Sequence, residues 1–228
     1  MPMTRIIIRI GGSVIASPVN PNLINKYIDL IKQIKLQGHE IAVIVGGGTL
    51  AREFINTAKT LNLPSPAQDR IAISVSRLYA QLFLEKLDAL SCDKVATTLD
   101  EAADYFSEGK IVIMGGLKPG YTTDTVGALV AERLGAELLI KGTDQDGVYT
   151  QDPRKYPHAT KLNQLTFNHL TQVLECDKHT VGIHQIIDPI AIDILKRNNI
   201  KVIIFNGFNP ENLLLAAENK PVGTTITN

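Results

Sequence analysis

The stretch IAVIVGGGTLAR, residues 41–52, joins an apolar strand directly to three glycines and then to a helix-forming segment. β-branched residues on both faces of the strand predict a central parallel strand that is covered on both sides. The glycines remove every Cβ where the next helix begins, so backbone N–H groups can approach an anion that the helix dipole also favours. A phosphate-binding turn is therefore predicted at residues 46–48, although a tight turn without a ligand fits this stretch alone equally well.

The same pattern, an apolar strand that ends in glycine or polar residues, recurs three more times. The repeats are RIIIRIGGS at 5–13, KIVIMGG at 110–116, and a strand at 137–140 that runs into KGTDQDGVYTQDP at 141–153. In an open α/β sheet, ligands bind outside the carboxyl ends of the strands. The four strand exits are therefore expected to share one rim and to enclose a polyphosphate ligand, which requires Gly12, Gly47 and Thr123 to face one cleft.

Composition narrows the class of protein. The chain has 228 residues, of which 44% are hydrophobic, enough for one large domain with a substantial core. Lys plus Arg and Asp plus Glu both number 23, so the charge predicts neither a nucleic acid partner nor a membrane surface. The two cysteines, Cys92 and Cys176, have no metal or redox spacing, and no secretory signal or apolar run near 18 residues is found. A cytoplasmic location is expected.

Local patterns predict the remaining elements. Helices are expected at about 21–37, 50–61, 67–87, 98–106, 185–197 and 210–218, with a further helix that begins at the Thr-Thr-Asp sequence 122–124 and a partly helical stretch at 163–175. Strands are expected at 6–10, 41–45, 111–114, 137–140 and 201–206, with an edge strand at 224–227. The helix at 67–87 carries polar residues that either line a cleft or form a solvated face: Asp69, Arg70, Ser74, Ser76 and Arg77.

Three mechanistic templates fit poorly. A P-loop needs two glycines four residues apart that are followed by Lys and Ser or Thr, and the chain has no such string. Gly46, Gly48 and Ala51 satisfy the loose dinucleotide fingerprint, but a second strand that ends in an acidic residue does not follow. His179 and His184 lack a third ligand at metal-binding spacing, so a histidine metal centre is not predicted.

Taken together, RIGGS, VIVGGG followed by LAR, GGLKPGYTTD, DGVYTQDP and IIDPIAIDIL resemble the amino acid kinase superfamily, and within it the archaeal type of uridylate kinase. The resemblance covers the whole chain in order. It implies a three-layer α/β/α sandwich with a mainly parallel central sheet. It also implies transfer of the γ-phosphoryl of ATP to UMP with Mg²⁺, a homohexamer, an acceptor-binding lobe at about 1–136 and an ATP-binding lobe at about 137–228.

Site residues follow from the resemblance, position by position. It implies catalytic roles for Arg9 and Asp124 and no metal-ligating side chain. It implies that ATP contacts Gly11, Gly12, Ser13, Gly48, Arg52, Thr143, Tyr149 and Asp152. It implies that UMP contacts Gly47, Asp69, Leu117, Lys118, Pro119, Gly120, Tyr121, Thr122 and Thr123.

Two positions depart from the wider superfamily pattern. Arg9 stands where many relatives carry Lys, and a permanently charged planar guanidinium grips phosphate differently from an ammonium. Asp144 stands where Lys or Asn is frequent, and it places a carboxylate near phosphate unless a metal or Lys141 offsets it. Whether Arg9 or Lys141 is the main catalytic cation is left open, as is a solvated position for Arg9.

Other functions remain open as alternatives. Carbamate, acetylglutamate and isopentenyl phosphate kinases share the implied fold, although the last usually carries an acceptor-pocket histidine, and none follows Gly48 here. Aspartate kinases add a regulatory domain for which this chain is too short. A non-catalytic nucleotide or oxyanion binder on the same scaffold is the alternative from outside the enzymes.

Overall fold

The computed structural model describes residues 3–177 and 186–228. Within them the strands are β1 (Arg5–Ile10), β2 (Glu40–Val45), β3 (Val112–Met114), β4 (Leu138–Thr143), β5 (Val148–Tyr149), β6 (Lys161–Leu162), β7 (Gln164–Thr166), β8 (Lys201–Asn206) and β9 (Thr224–Thr227). The side chain of Cys176, both histidines considered above as metal ligands (His179 and His184) and the predicted helix start at 185 lie outside the described residues.

The helices alternate with the strands along most of the chain. They are α1 (Gly12–Ile15), α2 (Pro21–Leu36), α3 (Gly48–Thr60), α4 (Ser65–Leu87), α5 (Leu99–Ser107), α6 (Thr123–Leu134), α7 (Phe167–Asp177), α8 (Pro189–Arg197) and α9 (Asn212–Ala217). Caps fix several of the boundaries: the Asn20 side chain accepts from Leu23 N at the start of α2, and Thr98 caps α5 through Glu101 N. None of the described helices has the length and apolar character that crossing a membrane requires.

One sheet organises the described part of the chain. Its strand order is β3-β2-β1-β4-β8-β9-β7, and every neighbouring pair is parallel except β8 and β9. The predicted α/β class with a mainly parallel sheet is confirmed. The carboxyl ends of β1 to β4 lie side by side, because the crossover helices return the chain to the same edge each time.

Helices cover both faces of the sheet and complete the three layers. In β1, Ile6, Ile8 and Ile10 pack with α2 and α4, whereas Ile7 packs on the other face with α5, α6 and α8. This alternation follows from the two-residue period of a strand. It also places the side chain of Arg9 on the α6 face, where a buried cation needs a partner.

Three local expectations are wrong. The strand at 224–227 is not an edge strand, because β9 lies between β8 and β7. The loop expected after β1 is instead the short helix α1, and its N-terminal Gly11 donates its backbone N–H to Gly142 O. The stretch DGVYTQDP is not a simple turn, since Val148 and Tyr149 pair with Leu162 and Lys161 in the antiparallel β5–β6 hairpin.

Candidate active site

Two of the glycine exits are in direct contact at the carboxyl edge of the sheet. A Cβ added to Gly12 would lie 2.0 Å from Gly48 N, and one added to Gly46 would lie 2.7 Å from Gly12 N. Gly48 also has a φ of +61°, which side chains other than glycine rarely adopt. The α3 N-terminus has no side-chain cap, and Gly46, Gly47 and Gly48 line the cleft there, so its first N–H groups are available to an anion.

Two cations lie next to each other beside this glycine contact. Arg9 of β1 is the register partner of Lys141 of β4, so both side chains project from the same face of neighbouring parallel strands. An unpaired charge on this otherwise apolar face would be costly. The first turn of α6 supplies the partner.

Asp124 of α6 bridges the two cations. Its Oδ2 lies 2.5 Å from Lys141 Nζ, and its Oδ1 lies 2.8 Å from Arg9 Nε in an ion pair that is not aligned as a hydrogen bond. Arg9 also donates from Nη2 to Thr123 Oγ1 at 2.9 Å, and Lys141 Nζ donates to the carbonyl of Ile186. The trio of Arg9, Asp124 and Lys141 carries one net positive charge toward the cleft.

Burial and charge shift the pKa values of this trio. Burial alone would raise the pKa of Asp124, but the adjacent Arg9 and Lys141 outweigh it and hold that pKa below its ordinary value. Burial lowers the pKa of Lys141 to about 8, although Asp124 opposes the shift. Asp124 therefore stays ionised at neutral pH, while Lys141 can lose its charge at mildly alkaline pH.

In the described part of the chain, two cavities of the cleft share a wall. The cation-side cavity, of about 290 Å³, is lined by Arg9, Gly12, Ser13, Gly46, Gly47, Gly48, Arg52, Thr123, Asp124, Lys141, Thr143, Asp144, Gln145 and Ile186. The second cavity, of about 150 Å³, is called the acceptor-side cavity after the substrate that the family resemblance implies there, and is lined by Gly47, Ala51, Asp69, Ala72, Ile73, Ser76, Gly116, Tyr121, Thr122 and Thr123. Gly47 and Thr123 belong to both, and Gly12 faces the first, so the three residues meet at one cleft as the sequence predicts.

Helix α4 holds the loop that closes the acceptor-side cavity. Asp69 Oδ2 accepts from Gly120 N at 2.8 Å, and Ser76 Oγ accepts from Gly116 N at 2.7 Å. Arg77 donates to two carbonyls of the same loop, from Nε to Gly116 O and from Nη2 to Leu117 O, both at 3.0 Å. Asp69 and Ser76 therefore line the cleft and Arg77 supports its loop, whereas Arg70 and Ser74 of the same helix are exposed.

Most of the predicted site residues meet at the cleft. Those that line either cavity are Arg9, Gly12, Ser13, Gly47, Gly48, Arg52, Asp69, Tyr121, Thr122, Thr123, Asp124 and Thr143. Gly11 is buried behind them, and residues 117–120 form the loop that Arg77 and Asp69 hold. Tyr149 and Asp152 line neither cavity; Tyr149 contacts Asp146, and Asp152 accepts from Arg154.

Several cleft residues were not assigned from the sequence. Gln145 and Ile186 line the cation-side cavity, and Ser76 and Arg77 support the loop at 117–123 although the sequence assigned them no specific role. The sequence signal for Lys141 is a lone charge at the end of an apolar strand, two positions before a polar turn. Its pairing with Arg9 could not be read, because strand register is a long-range property.

The residues of the cleft fit Mg²⁺ as an ion shared between a protein carboxylate and a bound phosphate ligand. The described residues contain no group of three or more His, Cys, Asp or Glu side chains that could cage a metal ion. Mg²⁺ uses one or two carboxylates together with substrate phosphates and water. Two of the described carboxylates line the cation-side cavity, and Asp124 is already paired with Arg9 and Lys141. The carboxylate that would help to hold the ion is therefore Asp144, whose Oδ1 lies 3.2 Å from Thr143 Oγ1.

Comparisons with known proteins agree with this geometry. The profile of the amino acid kinase family matches residues 4–206. A protein from Methanocella arvoryzae named uridylate kinase is 38% identical over 222 residues, which is 97% of this chain and 99% of that protein. One of the same name from Hyperthermus butylicus is 35% identical over 227 residues, with both chains fully covered.

Solved structures give the same result. The crystal structure of a uridylate kinase from Archaeoglobus fulgidus superimposes with a TM-score of 0.89 at 33% identity, covering 99% of this chain and 100% of that one. A UMP kinase structure from Ureaplasma parvum has a TM-score of 0.81 at 22% identity with full coverage of both chains, and supports the fold alone. On its sequence and its fold, this chain belongs to the amino acid kinase family.

Proposed function

We propose that this protein transfers the γ-phosphoryl of ATP to UMP and so forms ADP and UDP for pyrimidine nucleotide synthesis. The observation that carries the proposal is the pair of cavities joined at Gly47 and Thr123, one with the cations and one under the acceptor loop. Two ligands placed in them meet end to end. Relatives named uridylate kinase over nearly the whole chain support UMP as the acceptor.

The two substrates divide the cleft between them. UMP occupies the acceptor-side cavity, with Asp69 and the loop at 117–123 around its nucleoside. The ATP phosphates lie along Gly12, Ser13 and the α3 N-terminus, with Arg52 at the cleft wall. Thr143, Tyr149 and Asp152 lie on the ATP side by the same assignment. We also propose that residues 1–136, approximately, form the acceptor lobe and residues 137–228 the ATP lobe. One sheet contains strands from both ranges.

The chemistry needs alignment and charge screening more than proton transfer. The UMP phosphate is already an anion at neutral pH, so a general base is not required. Two anions must approach in line, and preorganised donors lower that cost. Backbone N–H groups of α3 bind the donor phosphates, while Arg9 and Lys141 offset charge on the moving phosphoryl and Asp124 holds both cations in place.

When bound with the nucleotide, Mg²⁺ would supply further neutralisation of phosphate charge. The carboxylate of Asp144 is the protein group that would help to hold it.

A homohexamer and a cytoplasmic location belong to the same proposal. Exposed apolar side chains on α3 and α4, among them Phe54, Leu78 and Leu82, offer a surface for a second copy of the chain. Light scattering coupled to size-exclusion chromatography measures the assembly.

An acceptor panel tests the proposed activity. Purified protein with ATP and Mg²⁺ is incubated separately with UMP, CMP, carbamate, acetylglutamate and isopentenyl phosphate, and ADP formation is measured. Turnover with UMP well above that with the other acceptors is expected. Turnover with isopentenyl phosphate and none with UMP would contradict the proposal, and binding without turnover of any acceptor would favour a non-catalytic binder.

A further inference from the structure

Asp188, the residue before α8, makes more contacts than a helix cap requires. Its Oδ1 accepts from Ala191 N at 2.9 Å, which is the ordinary cap of α8. The same oxygen accepts from Thr125 Oγ1 at 2.8 Å, and Oδ2 accepts from Thr122 Oγ1 at 2.6 Å. The carboxylate therefore joins the N-terminus of α8 to that of α6.

The contact with Thr122 controls the cap of α6. Thr122 Oγ1 accepts from Asp124 N at 3.1 Å and from Thr125 N at 3.2 Å. A hydroxyl has one proton and two lone pairs. Because its proton goes to Asp188, both lone pairs are turned toward the first amides of α6.

The same short segment also reaches the catalytic cations. Two residues before Asp188, the carbonyl of Ile186 accepts from Lys141 Nζ, and Lys141 is paired with Asp124. The contacts thus close a ring that runs from Asp188 through Thr122 and the first turn of α6 to Asp124, then through Lys141 and back to Ile186. The ring spans both proposed lobes.

We propose that Asp188 is a positioning residue for phosphoryl transfer, which fixes the first turn of α6, with Thr123 and Asp124, against Lys141. This inference rests on the proposed function. Asp188 is not among the described residues that line either cavity, so it acts through its neighbours. A displacement of about 1 Å in a reacting group can cost about 100-fold in rate. Because Asp188 lines neither cavity, we expect its effect on turnover rather than on the binding of each substrate.

The charge of Asp188 gives a second way to detect its connection with Lys141. Lys141 is faced by Arg9 from β1, by Asp124 from α6 and by Asp188 from the start of α8. The negative charges of Asp124 and Asp188 both favour the protonated amine. Loss of the charge at 188 should lower the pKa of Lys141 and move the alkaline fall of activity to lower pH.

Asp188→Asn separates positioning from capping. Asn caps a helix about as well as Asp, so α8 keeps its bond to Ala191 N. With its oxygen kept at Ala191 N and Thr125 Oγ1, the amide presents an NH2 group to Thr122 Oγ1 and cannot accept that hydroxyl's proton. Thr125→Val removes one of the two donors, and the matched control is Asp193→Asn, an exposed residue on the same helix.

The experiment measures kcat and both KM values against pH, at a temperature where all variants are folded. For Asp188→Asn we expect kcat to fall about 10–100-fold with KM values within about threefold, and the alkaline fall to move to lower pH. Thr125→Val should lie between this variant and wild type. A kcat and pH profile equal to those of Asp193→Asn, with only the melting temperature lowered, would mean that Asp188 is a cap and nothing more.

A measurement without substrate keeps this inference separable from the proposed function. If the wild-type protein does not phosphorylate UMP, the proposed function fails whatever Asp188 does. Hydrogen exchange then decides the inference: amides of Asp124 and Thr125 should exchange faster in Asp188→Asn than in Asp193→Asn. Equal protection in the two variants would overturn it.

Discussion

Lys141 and Asp124 form a buried ion pair in the wall of the cleft, with Nζ and Oδ2 2.5 Å apart and side chains only 5% and 10% exposed. Arg9 occupies the other oxygen of the same carboxylate. Two adjacent cations would repel each other without it. Asp124 therefore stabilises the fold and, by the proposed mechanism, orients the charges that the phosphoryl group meets.

Replacement of Asp124 by Asn should affect stability and turnover together. Removing one partner of a buried ion pair costs about 3–5 kcal/mol, because the remaining charges lose their compensation. We expect a loss of that order in the free energy of unfolding, measured by urea denaturation, and a fall in kcat of at least about 100-fold. Asp100→Asn is the control, since Asp100 is 86% exposed in its ion pair with Arg133. A normal kcat in Asp124→Asn would mean that Asp124 has no role in phosphoryl transfer.

Activity should fall at alkaline pH because Lys141 loses its proton. Burial lowers the pKa of Lys141 to about 8, so the charged amine present at neutral pH disappears as the pH rises through that value. We expect kcat/KM for UMP to decrease about tenfold per pH unit above it. Arg stays charged throughout this range, so Lys141→Arg should be less active at pH 7 but lack the alkaline fall. The same fall in both proteins would assign it to another group.

Capping residues and hydrophobic periodicity predicted most helices and strands. The features that the sequence missed depend on which strands pair with each other. Asn20 and Thr98 cap helices where the sequence places them, because a cap depends only on residues three positions away. The position of β9 depends instead on pairing Val202 with Ile226 on one side and Leu165 with Ile226 on the other. Such long-range register leaves no mark in a single strand's composition. The two-residue strands of the β5–β6 hairpin are equally invisible to periodicity.

In the candidate site, too, local features could be predicted from the sequence and long-range contacts could not. Glycines at strand ends predicted the cleft, because each must lack a Cβ for the backbones to meet, as Gly12 and Gly48 do. The partners of these residues could not be predicted from spacing. Lys141 faces Arg9 only through the β1–β4 register, and Asp188 reaches Thr122 only because α8 packs beside α6. The sequence marked Asp188 by its place in IIDPIAIDIL, without indicating its contacts.

Gly12→Ala tests the contact between the glycine exits. Its Cβ would lie 2.0 Å from Gly48 N, and backbone atoms on both sides leave little room for adjustment. Overpacking costs about 1–3 kcal/mol, and here it also displaces the α3 N-terminus. We expect lower stability and weaker ATP binding, measured by denaturation and calorimetry.

The control for this variant is Gly127→Ala, inside α6. It should stabilise the protein by about 0.5–1 kcal/mol, since its Cβ meets Leu139 Cδ1 at an ordinary 3.4 Å. Equal behaviour of the two variants would contradict the crowding.

Asp69→Asn separates the two halves of the cleft. Of the two cavities, Asp69 lines the acceptor-side one, and its Oδ2 accepts from Gly120 N in the loop that closes that cavity. Asn keeps one acceptor oxygen but loses the charge, and hydrogen bonds to charged groups contribute about 1.5–3 kcal/mol. UMP affinity measured by calorimetry should therefore fall about 10–100-fold while ATP affinity stays within twofold, because the cation-side cavity is untouched. Glu85→Gln, on the exposed face of the same helix, should change neither. Equal losses of UMP and ATP affinity would mean that Asp69 supports the whole cleft rather than the acceptor, and a loss confined to ATP would reverse the assignment of the two cavities.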